Sequence, residues 1–598
     1  MTANAISSEA AAAYSQETFR KEAAGLLSGI ADCTSVDVVR ERLVMRISQV
    51  YADITSRGVP HHAMTRARDC ANVLMTSLQA RSEKQTGFSL TEALWDIAAG
   101  RARPDLSEAF FAEIIHWVRG LEGRGVFAFA ADASGSQLKG RTAAIARSLS
   151  LDDLWHSVQQ QIDLYPNGLS DQAQQKRLLR RNHVLRALGG SQEQWDSWQW
   201  QVQNIMMDAP ALGKAVRLSD GERASIDLAR KHHLPFGVTP YYASLMDDDG
   251  SDDVAIRAQV IPPIDYVEHM VANRASIHES CDFMLESDTS PVDLVTRRYP
   301  SIAILKPYNT CPQICVYCQR NWQIQDAMAP DALCDWETIS RALAWIGKHK
   351  SITEVLLTGG DPLAMEDAQL ARILEQLSKI EHVDLIRIGT RTPVTLPMRV
   401  TKATADMLGS FRKLGRRDVA VITHVEHPYE VTMELAQAVD NLRRAGIGVY
   451  NQQVYTFYVS RRFESALLRL LVRRIGIDPY YTFAPKGKQE TAAYRVPLAR
   501  ILQEAKEEAR LLPGLRRSDE PVYNLPGLGK NHLRAGQHRD LLGVLPNGSR
   551  VYEFHPWEKN IVQSNPYVTR DVAILDYLRR LENAGEDADA YQSIWYYF

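Results

Sequence analysis

The stretch "ILKPYNTCPQICVYCQRNW", residues 304 to 322, places Cys311, Cys315 and Cys318 within eight positions of a 598-residue chain that has only seven cysteines. The other four, Cys33, Cys70, Cys281 and Cys334, are scattered singly, and an odd total does not read as a disulfide framework. Three thiolates at CxxxCxxC spacing can grip one face of an iron–sulfur cube and leave its fourth iron without a protein ligand. Structural zinc is the alternative, but it wants four closed ligands, and no fourth Cys or His lies nearby at zinc-finger spacing.

The run before these cysteines, "SIAILKP" (301–307), is the first of six β-rich runs. "EVLLTGG" (354–360), "LIRIGTR" (385–391), "VAVITHV" (419–425), "GVYNQQVYT" (448–456) and "PYYTFAP" (479–485) follow, with amphipathic helical patterns between them. Six strands alternating with five helices predict parallel βα units in a partial or complete barrel. Barrel enzymes build their sites at the C-terminal ends of strands. Each predicted strand end here carries chemistry: the cysteines; Gly359, Gly360 and Asp361; Arg391; His424 and His427; Gln452; and Lys486. The full set points to one shared site.

Around this core the texture differs. Up to about residue 185 the pattern is helical and carries no chemical motif, with a small-residue stretch at 125–141 that reads as a loop. Gly189 and Gly190 read as a helix stop. The expected division is 1–188, helical; 189–295, a helical segment leading into the core; 296–490, the barrel; and 491–598, a C-terminal segment. A net charge of −3 excludes the basic field that a phosphate-backbone partner needs, so no nucleic acid is expected. The N-terminus lacks a basic start and an apolar run, and no stretch reaches membrane-span length, so the expectation is a cytoplasmic protein with no membrane.

CxxxCxxC after the first strand of a partial βα barrel resembles the radical S-adenosylmethionine (radical SAM) superfamily, and Tyr317 before the last cysteine fits that pattern. The resemblance implies a [4Fe-4S] cluster whose open iron is chelated by S-adenosylmethionine, a 5′-deoxyadenosyl radical, and an external electron donor of flavodoxin or ferredoxin type. "TGGDPL" resembles the superfamily's glycine-rich element, which would assign Gly359, Gly360 and Asp361 to cofactor binding. Over about residues 190 to 580 the resemblance narrows to the lysine 2,3-aminomutase family, through "WDSWQWQVQN" (195–204), "FGVTPYYASLMD" (236–247), "TRRYP" (296–300), "IRIGTRTPVTLPMRVT" (386–401), "THVEHPYEVT" (423–432), "NQQV" (451–454) and "LPGLGK" (525–530). The implied fold is a six-stranded radical SAM partial barrel with an N-terminal all-helical extension and a C-terminal segment carrying a lysine for pyridoxal 5′-phosphate (PLP). The implied activity is a PLP-dependent 2,3-aminomutase, an isomerase acting on a small amino acid, expected as a homo-oligomer.

By the same resemblance Lys530 is the PLP lysine, with glycines that let the backbone approach the cofactor; a surface lysine in a turn is its bland alternative. "PGLGK" is one glycine position shorter than the family's loop. Arg298 falls where the family binds phosphate and Arg320 where it holds the substrate α-carboxylate, both suited by a forked guanidinium. Arg391, His424 and Gln452 fall in the cofactor-binding set. Lysine-specific members pair two aspartates with the substrate ammonium; this chain has Lys486 and Asn524 instead. An ammonium held against Lys486 would suffer a mismatch on the order of 3–5 kcal/mol. The pair resembles glutamate 2,3-aminomutase, so L-glutamate is the expected substrate, with aspartate, another acidic or polar amino acid, or lysine, free or on a protein, as alternatives. Lys488, two residues on, is the rival for the role of Lys486. Beyond Cys334 there is no cysteine, so the zinc site of some family members is not expected.

Overall fold

The computed structural model describes residues 14–127, 138–247, 253–276, 281–526, 528–536, 538–556 and 565–598. Most of the small-residue stretch at 125–141, and Gly527 of the lysine loop, lie outside them. The chain forms two compact units that are discontinuous in sequence. One gathers Met1–His156, Val496–Leu511 and Asn531–Phe598; the other gathers Ser157–Arg495 and Leu512–Lys530.

The second unit is built on a sheet whose neighbours in space are neighbours in sequence. Its strands are β1 (Val295–Thr296), β2 (Ile302–Tyr308), β3 (Glu354–Gly359), β4 (Leu385–Gly389), β5 (Asp418–Thr423), β6 (Gly448–Val454), β7 (Asp478–Phe483), β8 (Glu520–Leu525) and β9 (Gly529–His532). From β2 to β8 every pairing is parallel, while β1 adds to β2 antiparallel. The six predicted strands are β2 to β7. Sequence reading missed β8, the strand that carries Asn524, because "PVYNL" is short and follows a charged loop. An open, sequentially ordered parallel sheet is the partial barrel expected.

The two faces follow from the pleat. On β2 the alternate residues Ala303 and Leu305, on β3 Val355 and Leu357, and on β4 Ile386 and Ile388 are wholly buried. They face amphipathic helices such as Trp336–Lys348, started by Asp335 accepting from Thr338 N, and Met433–Arg444, started by Thr432 accepting from Leu435 N. The intervening residues, Ile302, Ile304 and Lys306 among them, are less completely buried and form the opposite face of the pleat. The segment from 189 to 276 supports the cysteine loop: Ile314 N donates to Gly237 O (3.1 Å) and Val316 N to Gln259 O (3.0 Å). Val316 also enters an apolar cluster with Tyr266, Val267 and Met270 of the helix Ile264–Ala272.

The first unit joins N-terminal helices, among them His61–Ser77 and Glu108–Leu121, to an antiparallel sheet of β10 (Arg539–Val544), β11 (Arg550–Phe554) and β12 (Tyr567–Arg570). Its interior holds an ion pair, Glu113 with Arg550 at 3.0 Å, and Arg550 also donates to the carbonyls of Trp595 (2.7 Å) and Tyr597 (2.6 Å). A contiguous reading of the sequence does not anticipate this, because the partners lie more than four hundred residues apart. Among the described residues no helix is long and apolar enough to cross a membrane.

Candidate active site

The cysteine loop begins where β2 ends, and the glycines of "TGGD" explain why it can lie against the tip of β3. Gly359 has a φ of 128°, and a Cβ on Gly360 would sit 2.0 Å from the carbonyl oxygen of Thr310. Without side chains, the β3 tip bonds directly to the loop, Gly360 N to Tyr308 O (2.6 Å) and Asp361 N to Thr310 O (2.9 Å). Asp361 is buried and its carboxylate is taken up by the protein. Oδ1 accepts from Leu363 N (3.0 Å) and Thr390 Oγ1 (2.5 Å), Oδ2 from Arg391 N (2.8 Å) and Thr392 N (2.9 Å). The side chain therefore ties the tip of β3 to that of β4, a structural duty that the motif alone does not reveal.

Cys311, Cys315 and Cys318 are unpaired and half buried. The Cys311 thiol is pushed well above its ordinary pKa by burial, then by Asp361 and by the other two thiols, and burial likewise raises Cys315. Such thiols ionise when a metal supplies the missing positive charge. N–H donors already face the sulfurs: Arg391 Nη1 lies 2.9 Å from Cys315 Sγ, and Arg320 N donates to Cys318 Sγ at 3.3 Å. Among the described residues, the three sulfurs are not a group of ligand atoms within 4.8 Å of one another, the compactness that a single ion needs. Three free thiols on one loop, two of them with N–H donors at their sulfurs, fit a cluster.

Arg391, at the tip of β4, is anchored from several sides: it donates to Glu430 Oε1 (2.8 Å), to Gln259, and through Nε to the carbonyl of His424 (3.2 Å). His424 at the tip of β5 donates Nδ1–H to the carbonyl of Gln452 on β6 (2.8 Å), which fixes the tautomer and leaves Nε2 as an acceptor. Burial, and then Arg391, push its pKa down to about 4, so the ring is neutral at neutral pH. Gln452 lies with Tyr450 and Val454 in the half-buried alternate series of β6. His427 is not in this company: its Nδ1 accepts from Tyr429 N (3.2 Å), and its buried Nε2 donates to Glu464 (3.0 Å), a cap rather than a ligand.

A second group of charges gathers around Glu286. Glu286, unremarked in the sequence, is buried among cations: Lys306 Nζ at 2.9 Å, Arg298 Nη2 at 3.2 Å and Arg320 Nε at 3.5 Å. Burial alone would raise its carboxyl, but Arg320, Lys306 and Arg298 hold it at about 2. Gln323 Oε1 accepts from Nε and Nη2 of Arg320, which locks the guanidinium and leaves Nη1 buried without a hydrogen-bond partner.

Lys486 follows β7 and donates to Gln319 Oε1. Burial, then Arg298, push its pKa well below the ordinary lysine value. Lys488 differs: its ammonium meets Glu490 at 2.5 Å and Asn321 Oδ1 at 2.6 Å, so its charge is neutralised internally. The two lysines, indistinguishable in sequence, are thus separated by their partners. Asn524 is buried near the end of β8; Phe483 pairs with Val522, so the tips carrying Lys486 and Asn524 are adjacent. Lys530 on β9 lies 4.9 Å above the Tyr299 ring and 5.4 Å from that of Tyr481.

A family model described as the radical SAM superfamily matches residues 305–459. Over 550 residues the chain is 43% identical to an uncharacterised KamA family protein of Methanocaldococcus jannaschii, with 88% of each chain covered. The chain belongs to the KamA family. It is also 33% identical over 315 residues to the glutamate 2,3-aminomutase of Clostridioides difficile, and 33% over 317 residues to an L-lysine 2,3-aminomutase of Fusobacterium nucleatum. In both, 52% of this chain and 70% of the relative are covered. Membership makes the chain a radical SAM aminomutase, an isomerase whose cofactors include a [4Fe-4S] cluster and S-adenosylmethionine. Among solved structures, Streptococcus suis SuiB bound to S-adenosylmethionine aligns over 43% of this chain and 55% of its own, at 11% identity and a TM-score of 0.29, too slight a likeness to argue from.

Proposed function

We propose that this KamA-family chain is a PLP-dependent 2,3-aminomutase of an acidic amino acid, with L-glutamate converted to β-glutamate. Identity does not choose the substrate, since the glutamate and lysine enzymes stand equally near. The observation that carries the reading is the buried ammonium of Lys486, hydrogen-bonded to a neutral amide while its neighbour Lys488 has Glu490. A buried cation without its counter-charge costs several kcal/mol unless a ligand brings one.

Charge counting agrees. Arg298, Lys306, Arg320 and Lys486 are four cations around one carboxylate, Glu286, an excess of three positive charges. A phosphate and two carboxylates would bring three anionic groups to these cations; a substrate with a side-chain ammonium would add to the excess. In this reading Arg320 Nη1 takes the α-carboxylate, Lys486 with Asn524 the side-chain carboxylate, and Arg298 the phosphate. Lys530, flanked by two phenol rings, suits PLP, which needs an amine and flat faces to lie against. Cys311, Cys315 and Cys318 would hold the cluster, and Arg391, His424 and Gln452 would border S-adenosylmethionine.

When bound, the cluster with S-adenosylmethionine supplies a hydrogen-abstracting radical and PLP the electron delocalisation that lets nitrogen migrate. The chain's own part would be to hold the amino acid between two fixed cations and to exclude water. The test is anaerobic turnover of the reconstituted protein with S-adenosylmethionine, PLP and dithionite, offering L-glutamate, L-aspartate and L-lysine separately and reading β-amino acids by mass spectrometry. β-Glutamate as the dominant product is expected; β-lysine as the dominant product would refute the substrate assignment.

A further inference from the structure

One cation of the site is assigned by neither a motif nor a relative: Lys306. It stands on β2 at the alternate position after Ile304, on the face of the pleat opposite the wholly buried Ala303 and Leu305. Its Nζ lies 2.9 Å from Glu286 Oε2, an oxygen that Arg320 Nε also approaches at 3.5 Å, while Arg298 Nη2 meets Oε1 at 3.2 Å. The side chains of all four groups are nine-tenths or more buried. Arg298 and Arg320 already more than neutralise Glu286, so the third cation is surplus to the internal balance. Surplus buried charge is costly. The unpartnered, buried Nη1 of Arg320 shows in addition that donors in this cluster are left open.

We propose that Lys306 is an oxyanion-binding residue of this site, taking with Arg298 and Arg320 either the phosphate of the PLP or a carboxylate of the amino acid. The assignment rests on the aminomutase reading for its natural ligands, but its test requires no turnover. Glu286 then serves as the internal counter-anion that keeps three like charges close enough to share a ligand.

The experiment is calorimetric titration of the cluster-reconstituted full chain with inorganic phosphate and, separately, with glutarate, using wild type, Lys306→Met and Lys306→Arg. The expected result is a tenfold or greater weakening of one probe in Lys306→Met and recovery to within about threefold in Lys306→Arg. Loss confined to phosphate assigns Lys306 to the cofactor; loss confined to glutarate assigns it to the substrate. Binding of both probes within twofold of wild type would overturn the proposal and reduce Lys306 to a counter-ion of Glu286. Should the methionine variant not fold, Lys306→Gln gives the same comparison with a polar neutral side chain. PLP uptake by the wild type is followed in parallel: failure there would sink the PLP reading, while the phosphate and glutarate titrations still decide Lys306.

Discussion

Replacing Lys486 by methionine removes an ammonium and keeps most of its aliphatic stem, so the change isolates charge from packing. A carboxylate about 4 Å from that ammonium gains about 4 kcal/mol at an effective dielectric near 20. Desolvation of the incoming carboxylate offsets part of this, and truncating one member of a buried charge pair costs about 2–5 kcal/mol. Taking about 3 kcal/mol, and 1.4 kcal/mol per tenfold, kcat/KM for L-glutamate should fall roughly a hundredfold in Lys486→Met. The assay is initial-rate formation of β-glutamate under anaerobic conditions, with L-glutamine as a neutral substrate whose rate should change far less. Glutamate turnover within threefold of wild type would refute the reasoning, because the buried ammonium would then not face the substrate. The variant carries a second signature in its stability. A lysine whose folded pKa lies below 10.5 leaves the unfolded state with more bound protons between the two values, so it makes stability rise with pH across that window. Denaturant midpoints of the ligand-free wild type should show that rise, and those of Lys486→Met should lack it.

Glu286→Gln should destabilise the ligand-free protein by about 3 kcal/mol, the worth of the gap between 4.5 and about 2. A carboxyl held low in the folded state stabilises fully above about pH 4.5 and loses that contribution as pH falls toward 2, so urea midpoints of wild type and variant should converge in acid. Gly360→Ala would drive a Cβ into the Thr310 backbone and push the cysteine loop off the β3 tip, so iron bound after reconstitution should drop below half of the wild-type content. Gly347→Ala, on the helix Trp336–Lys348 with open space around it, is the matched control and should leave iron content unchanged and stability equal or higher.

The sequence by itself determined the parallel core and the cysteine triplet. Hydrophobic alternation and helical periodicity are local signals, and CxxxCxxC is a local spacing, so each survives without knowledge of the fold. It also brought Arg298, Arg320, Lys486 and Lys530 into view, but as candidates by position. Only the tertiary structure separated Lys486 from Lys488, because the deciding partner of one is Glu490 and of the other Gln319, and a side chain's electrostatic state depends on what folding places within a few ångströms. The same holds for Glu286 and Lys306, one before β1 and one on β2, neither part of a recognisable pattern. The structural tie made by Asp361 came into view for that reason too. Its four hydrogen bonds come from the turn after β3 and from the tip of β4, about thirty residues away, and burial of charge is a property of the assembled barrel.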